Sequence, residues 1–501
     1  MTALASGIVP VDVPAAALGG AEAVRTPPAP VRTLSLLSLT TLVVGSMVGG
    51  GIFSLPQAFG RSTGVVGGLI AWGVAGLGML MLARVFQTLS ERRPDLETGI
   101  VAYAQVGFGA YPGFLSALGY WASAFLGLVT FLVLSQSTLG AFVPALGEGD
   151  TPASVALASV ILWGVHALLL RGVKEATTLN TVVTFAKIVP IVVFVAVVAV
   201  AFRPDIFVAN LMGAPEAGLA DLFGQVRGTM LVVVFVFLGI EGASVYSRYA
   251  RRREDVGRAT LLGFAGVLAL FMLVTVLSYG ILPRAELAAL HNPSMAGVLE
   301  AAIGRPGAVF VSIGVLISVL GAYLSWSLLA AEVLSASAGT GLMPAFLARQ
   351  NAAGAPAAAL WLTNGAVFAV LVATLAAESA LRLAIELTSA MSLVPYLLVA
   401  GYALKLSVSG EGYDGAPAAR RRDLAVAALA ALYAAGMLSA AGPKYWLLSA
   451  LIYTPGTLLF WMARREQGRQ SFIGTEWILA ALSLGAFVAA ILALCDGSIR
   501  L

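Results

Sequence analysis

Three consecutive glycines, Gly49-Gly50-Gly51, stand inside an apolar run that extends from Val44 to Phe53. Three missing side chains in a row leave the backbone amides bare and admit unusual backbone angles. In hydrocarbon, an interrupted helix is tolerated only where protein or a cavity supplies the missing hydrogen-bond partners. An unwound stretch here would present N–H groups and the positive end of a half-helix, which is chemistry suited to a carboxylate. Close helix–helix packing also selects small residues, so the triplet taken alone supports either reading.

A second interruption shifts that balance. The run Phe235-Val236-Phe237-Leu238-Gly239-Ile240-Glu241 combines a glycine with an intramembrane carboxylate, about 190 residues after the first. Two interrupted helices in corresponding positions of two repeats point to one shared site. Glu241 costs about 2.5–3.5 kcal/mol in the membrane by analogy with comparable charges on insertion scales, so it should face a cavity, a cation or a cationic substrate. A structural ion pair or a protonated packing role is the competing reading. Lys187 is the single lysine expected at depth. It either replaces a coupling cation or acts as a structural hydrogen-bonding group. Trp326, between Ser325 and Ser327, could cover a guanidinium or ammonium through its ring face, or simply pack. His166 reads as a packing histidine. Glu332 lies near the cytoplasmic end of its span, placed to snorkel or pair with a loop arginine.

Other chemistries lack raw material. There are two histidines, His166 and His291, without ligand spacing, and one cysteine, Cys495. No metal, no cofactor and no nucleophilic triad is expected. The net charge of +4 and the absence of basic runs interleaved with aromatics argue against nucleic acid.

The elements that must position these residues are membrane helices. Hydrophobic residues make up 59% of the 501-residue chain and charged ones 11%. Soluble domains carry roughly a quarter charged residues, so lipid is the main solvent here. Thirteen apolar spans can be marked, from 34–60 to 475–495, with the fifth at 177–202, the sixth at 226–247 and the eighth at 305–335. The third (113–146) and the eighth are long enough to tilt. With a cytoplasmic N-terminus, twenty of the 29 Lys and Arg residues fall on the inside, as the positive-inside rule requires. Residues 1–33 read as a disordered cytoplasmic tail without a cleavable signal. The outside stretch 203–225 is expected to form a short surface helix or a plain connector, and the inside stretch 336–358 a shaped loop or a plain connector.

These motifs resemble a known family. Gly49-Gly50-Gly51-Ile52-Phe53 followed by Pro56 resembles the first-helix signature of the amino acid–polyamine–organocation superfamily. The Phe235–Glu241 run is similar to the sixth-helix motif of its basic amino acid/polyamine antiporters. Ser325-Trp326-Ser327-Leu328-Leu329-Ala330, then Gly341-Leu342-Met343-Pro344 and Phe346, resembles their eighth helix and following loop. The likeness covers about 34–408, and thirteen spans place it nearest the branch that exchanges arginine for ornithine.

The resemblance implies an all-α membrane protein with a five-plus-five inverted-repeat (LeuT-like) core, helices 1 and 6 broken, working by alternating access. That core would span 34–408, with three added helices in 409–501. The resemblance further implies that Gly50 and Gly51 amides bind the substrate carboxylate beside Ser46, within a binding set of Ser46, Gly49, Gly50, Gly51, Phe235, Phe237, Gly239, Glu241 and Trp326. Trp326 would cover the aliphatic stem, and Glu241 matches an acidic gate residue. Lys187 falls where some relatives place a lysine at the site that holds sodium in sodium-coupled members. Phe235 departs from the tryptophan of arginine/agmatine exchangers, which bears on fine substrate choice.

The expected activity is 1:1 electroneutral exchange of external arginine for internal ornithine in a bacterial-type inner (cell) membrane. Proton-coupled amino acid uptake, or exchange of lysine for cadaverine or histidine for histamine, would read much the same. The partners are basic amino acids and lipid, and the sequence admits a homodimer without specifying it. A sensor would need a large soluble output domain and an enzyme a cluster of reactive groups; neither is legible in the sequence.

Overall fold

A computed structural model describes residues 35–96, 99–172, 176–213, 219–241, 251–413 and 415–500. The expected tail at 1–33 and the end of the expected sixth span, 242–247, lie outside the described residues. Among the described residues the chain is helical throughout, without strands.

The first span is two helices, α1 (Leu36–Met47) and α2 (Leu55–Ser62), meeting at 52°. Ser35 caps α1 by accepting from the Ser38 amide at 3.3 Å. Helical geometry fails after Met47, where Val48 and Gly49 turn extended, and resumes as a tight turn over Gly50–Ser54. Pro56, in the first turn of α2, suits a helix start because its missing N–H is one the first turn leaves unpaired anyway.

The chain continues through α3 (Val65–Arg92), the short α4 (Ile100–Phe108), α5 (Ala110–Gly140), α6 (Pro152–Leu170) and α7 (Ala176–Val200). After the short helix α8 (Pro204–Ala209), α9 (Leu219–Val236) begins seven residues before the expected sixth span, because the polar Asp221 and Gln225 are accommodated in its first turns. Then follow α10 (Arg253–Ser278), the short α11 (Arg284–Ala289) and α12 (Ser294–Ile303), α13 (Arg305–Gly339), α14 (Ala357–Ala373) and α15 (Ala380–Ser409). The expected eleventh and twelfth spans form one run, α16 (Pro417–Glu466), interrupted at Gly442 (φ 76°, ψ 174°) just before Pro443. The last helix is α17 (Glu476–Cys495).

Nine of these helices are long and apolar enough to cross a membrane, or ten with the bent α1–α2 pair as one span, among the described residues. The protein is a multi-pass membrane protein. Its layering follows from burial: the apolar stretch of α5 is 94% buried and that of α15 83%, whereas that of α17 is only 6% buried. The α17 helix therefore displays Trp477, Leu482 and Leu492 outward, where lipid covers them.

A repeated connection relates the two halves. The α4 helix passes into α5 through Gly109 (φ 102°, ψ −177°), and α12 passes into α13 through Gly304 (φ 82°, ψ −174°). Each corner leads into a Pro-Gly pair, Pro112-Gly113 and Pro306-Gly307, in the first turn of a long central helix. The corners are 195 residues apart, close to the spacing of the two glycine interruptions. This agrees with the inverted repeat that the fold family implies.

The loops behave in part as expected. The α8 helix is the short helix of 203–225. In 336–358, Ala345–Ala348 form a single tight turn, and the loop is held from below: Glu466 accepts from the Ala345 amide at 2.8 Å, and Gln467 donates to the Gly341 carbonyl at 2.6 Å. On the opposite face, His291 Nδ1 lies 3.3 Å from Glu148, whose hydrogen bond raises the imidazole pKa.

The two glycine interruptions touch. Past Val236 the chain winds into tight turns and reaches Gly239 at φ 98°. The Ser46 hydroxyl donates toward the Gly239 carbonyl at 3.0 Å and the Val43 carbonyl at 2.8 Å. A Cβ on Gly239 would lie 2.4 Å from the Ser46 carbonyl oxygen. Gly239→Ala should thus lower the thermal unfolding midpoint in detergent, since left-handed backbone alone costs an L-residue about 1–2 kcal/mol. Gly485→Ala, inside α17 with nothing within 4 Å of the added carbon, should not lower it, since a helix interior favours alanine over glycine by about 1 kcal/mol. Equal midpoints for the two variants would refute the account of the contact.

Candidate functional site

The two interruptions line one small cavity, of about 30 Å³. The first break contributes Ser46, Met47, Gly49, Gly50, Gly51 and Ile52, and the second Phe235, Val236 and Leu238. Three further helices complete the wall: Gly127 and Phe131 from α5, Trp326 from α13 and Thr388 from α15. Six of the residues expected from the sequence, Ser46, Gly49, Gly50, Gly51, Phe235 and Trp326, are therefore brought together on one cavity.

The glycines divide the tasks that their sequence left ambiguous. A Cβ on Gly51 would sit 2.7 Å from the Phe235 ring, so this glycine permits close packing of the breaks. At Gly50 the added carbon would press on Leu134, Phe131 and Val319 at 3.1–3.3 Å. At Gly49 it would find only Phe131, at 3.9 Å, so this glycine leaves space on the cavity side. The first amides of a helical turn have no partner within the turn, and Gly50 and Gly51 begin the turn here. The start of this turn stands on the cavity wall.

Aromatic rings supply part of the remaining wall. Trp326 is half-buried and meets Phe131 edge-on, with centroids 6.3 Å apart. Its face can cover an aliphatic stem or a delocalised cation. Phe235, buried at the crossing with Gly51, closes a third side.

Glu241 lies three residues beyond Leu238 and off the cavity wall. It is buried and clamped from two helices: Tyr120 of α5 donates to Oε1 and Tyr396 of α15 to Oε2, each at 2.8 Å. A buried carboxylate needs such donors, and each of its oxygens can accept a second bond. Both tyrosines stand on helices that also line the cavity, so the carboxylate and the cavity share their supports.

Lys187 also lies off the cavity wall. Its ammonium donates to the Gly45 carbonyl at 2.8 Å, in the last turn of α1. That turn is the negative end of a half-helix, a position that attracts cations. Phe237 points away from the cavity into an aromatic cluster with Trp72, Phe264 and Phe271. Gly239 contributes its carbonyl to Ser46 rather than a cavity surface. His166 packs edge-on against Trp163 and Trp361 and receives the Asn364 amide at 3.0 Å, as its packing role predicts. Glu332 is exposed on α13. Among the described residues no group of three or more His, Cys, Asp or Glu could hold a metal ion.

Sequence reasoning missed Gly127, Phe131 and Thr388 because they belong to unbroken apolar helices. Tyr120 and Tyr396 carried a usable signal, since an intramembrane carboxylate must find donors and tyrosines are among the few available in such helices.

A bundle of apolar helices in which two interrupted segments meet at a small cavity is the arrangement of a membrane transporter. The family model for amino acid permeases matches residues 34–495. The chain belongs to this amino acid permease family, within the amino acid–polyamine–organocation superfamily, and is a transporter rather than an enzyme. It is 50% identical to the arginine/ornithine antiporter of Pseudomonas aeruginosa, over 94% of this chain and 99% of that protein. It is 39% identical to an L-lysine transport protein of Corynebacterium glutamicum, over 94% and 97%. It is 35% identical to an arginine/agmatine antiporter of Chlamydia trachomatis, over 85% and 89%.

Gly127 offers a direct test of the cavity. A Cβ there would meet nothing closer than Thr388, at 4.0 Å, and a helix interior favours leucine over glycine. Gly127→Leu should fold and fill the cavity, weakening binding of a basic amino acid by at least about a hundredfold, some 2.7 kcal/mol. Equilibrium binding to the purified variant checks this; undiminished affinity in a stable protein places the substrate elsewhere.

Proposed function

We propose that this protein exchanges arginine for ornithine, one for one and without net charge movement, by alternating access in a bacterial inner membrane. The observation that carries the proposal is the cavity between the two interrupted helices, with Gly49, Gly50 and Gly51 and the Trp326 ring on its wall. The α-carboxylate binds the Gly50 and Gly51 amides, Trp326 covers the aliphatic stem, and the cationic tail is directed toward Glu241, which Tyr120 and Tyr396 hold in place. The arginine/ornithine antiporter of P. aeruginosa, 50% identical along nearly its whole length, supports the substrate pair.

In this reading the N-terminus is cytoplasmic and the chain crosses the membrane thirteen times, with α16 counted as two spans at Gly442. The ten-helix transport core ends near 408. Lys187, on the Gly45 carbonyl, takes the place of a dissociable cation, so no sodium enters the cycle. The lysine transport protein of C. glutamicum favours a second reading, in which lysine is a further substrate of the same site.

In proteoliposomes loaded with ornithine, a valinomycin-imposed potential should leave the initial rate of arginine entry unchanged. Strong acceleration would rule out electroneutral exchange, and entry into vesicles without internal substrate would rule out obligatory exchange. Glu241→Gln keeps an acceptor for a tyrosine but removes the charge. It should reduce kcat/KM for arginine by about tenfold or more, about 1.4 kcal/mol, beyond any loss for a neutral amino acid. Equal loss for both classes, at normal expression, sinks the charge-recognition role.

A further inference from the structure

Both arms of α16, on either side of the interruption at Gly442, line an apolar cleft of about 360 Å³. Leu438 stands on the first arm, and Trp446, Ala450 and Tyr453 on the second. Ala390 and Val394 of α15 form its back. Trp446 is 48% exposed, and its indole donates to the Leu438 carbonyl, which ties the two arms together beside the corner. The α17 helix also reaches this wall, and its apolar stretch is only 6% buried. This flank of the bundle therefore faces hydrocarbon, and the cleft is a recess in the lipid-covered surface.

The wall offers a polar molecule nothing to bind. Ser449 donates to the Tyr445 carbonyl at 2.7 Å, and the Ser483 and Thr454 hydroxyls pair at 2.7 Å. The Tyr453 hydroxyl is turned to α5: it would lie 2.2 Å from a Cβ on Gly119, a point only 3.0 Å from the Met391 carbonyl. Water in the cleft would lack the polar partners that hold it. An empty recess would cost its lining the dispersion contacts of one side. A flexible hydrocarbon chain is the filling that this surface accepts.

The corner beside the cleft is cationic. Lys444 lies two residues before Trp446, over the Tyr445 ring. Arg227 of α9 donates Nε to the Ala440 carbonyl at 3.3 Å, and its guanidinium would lie 3.1 Å from a Cβ on Gly442. Neither cation forms a salt bridge among the described residues. Trp446 and Tyr445 beside them suit the membrane–water interface, where the head groups sit. An anionic head group at this level would meet both charges.

We propose that the cleft is a lipid site: it takes one acyl chain of an anionic phospholipid whose phosphate lies against Lys444 and Arg227. The site bears on the transport core through α15. At about 100° per residue, Thr388 and Ala390 stand roughly 200° apart, so α15 has the central cavity on one face and the cleft on the other. Pro395, next to Val394, cannot donate to the Met391 carbonyl, so this stretch of α15 leans on its neighbours. The acyl chain supports the back of the helix that brings Thr388 to the cavity and Tyr396 to Glu241.

The test uses the full-length protein in nanodiscs of phosphatidylcholine with a trace of phosphatidylglycerol that carries a diazirine near the end of one acyl chain. After irradiation, peptide mapping should find label on residues 443–453 of α16 well above that on the open face of α17, at Trp477 and Leu482. Phosphatidylcholine carrying the same chain should label the cleft about tenfold less or weaker still, since each cation near an anionic head group is worth about a fivefold change. Lys444→Gln together with Arg227→Gln should bring phosphatidylglycerol down to that same level. Ala450→Phe, which puts a ring in the cleft, should remove the label from α16 and leave α17 as it was.

If Ala450→Phe does not fold, the charge variant and the pair of head groups decide. Label spread evenly over α16 and α17, or unchanged in these variants, marks ordinary boundary lipid and overturns the site. Equal labelling by the two head groups overturns the role of Lys444 and Arg227.

Discussion

Within hydrocarbon every backbone donor and acceptor must find its partner inside the protein, and this requirement governs the centre of the molecule. Two helices give up regular hydrogen bonding at the same depth. They can do so because each break supplies what the other lacks: the Ser46 hydroxyl reaches the Gly239 carbonyl, and glycines at both crossings remove the side chains that would hold the segments apart. The surrounding helices are arranged around this exchange. The most buried of them, α5 and α15, contribute Gly127, Phe131 and Thr388 to the cavity, and the same two helices send Tyr120 and Tyr396 to Glu241.

Polar groups inside the bundle are accordingly tied into networks that span helices. Glu241 binds tyrosines from two helices, Lys187 binds the carbonyl end of α1, and Glu386 draws Arg382 and Tyr445 together. Apart from the Arg382–Glu386 pair, which lies within α15, each bond joins two different elements of the bundle. The apolar contacts between those elements tolerate sliding, because dispersion and lipid exclusion are weakly directional. The polar contacts do not, since a displaced hydrogen bond in a dry interior leaves two unsatisfied groups. Discrete conformations, rather than a continuum, follow from that difference.

Much of this was legible in the sequence, for identifiable reasons. Span positions followed from hydropathy, and the Gly49–Gly51 and Gly239 interruptions stood out because lipid permits few such irregularities. Side-chain direction was harder to read. Phe235 and Phe237 are two residues apart, yet one lines the cavity and the other joins the Trp72–Phe271 cluster. The chain there passes from a helix into tight turns, so no single period assigns its faces. Gly127 and Thr388 were silent because a regular apolar helix carries no mark of which residue meets a void. The start of α9 at Leu219 was placed too late because polar residues in its first turns dilute the hydropathy signal.

The ammonium of Lys187 occupies the carbonyl end of α1 while attached to the chain by covalent bonds. A tethered charge has no chemical potential in either compartment. It neither arrives with a gradient behind it nor departs to complete a cycle. If Lys187 stands in for a coupling cation, as proposed above, sodium contributes no free energy to the cycle, and the direction of transport is set by the concentrations of the cargo.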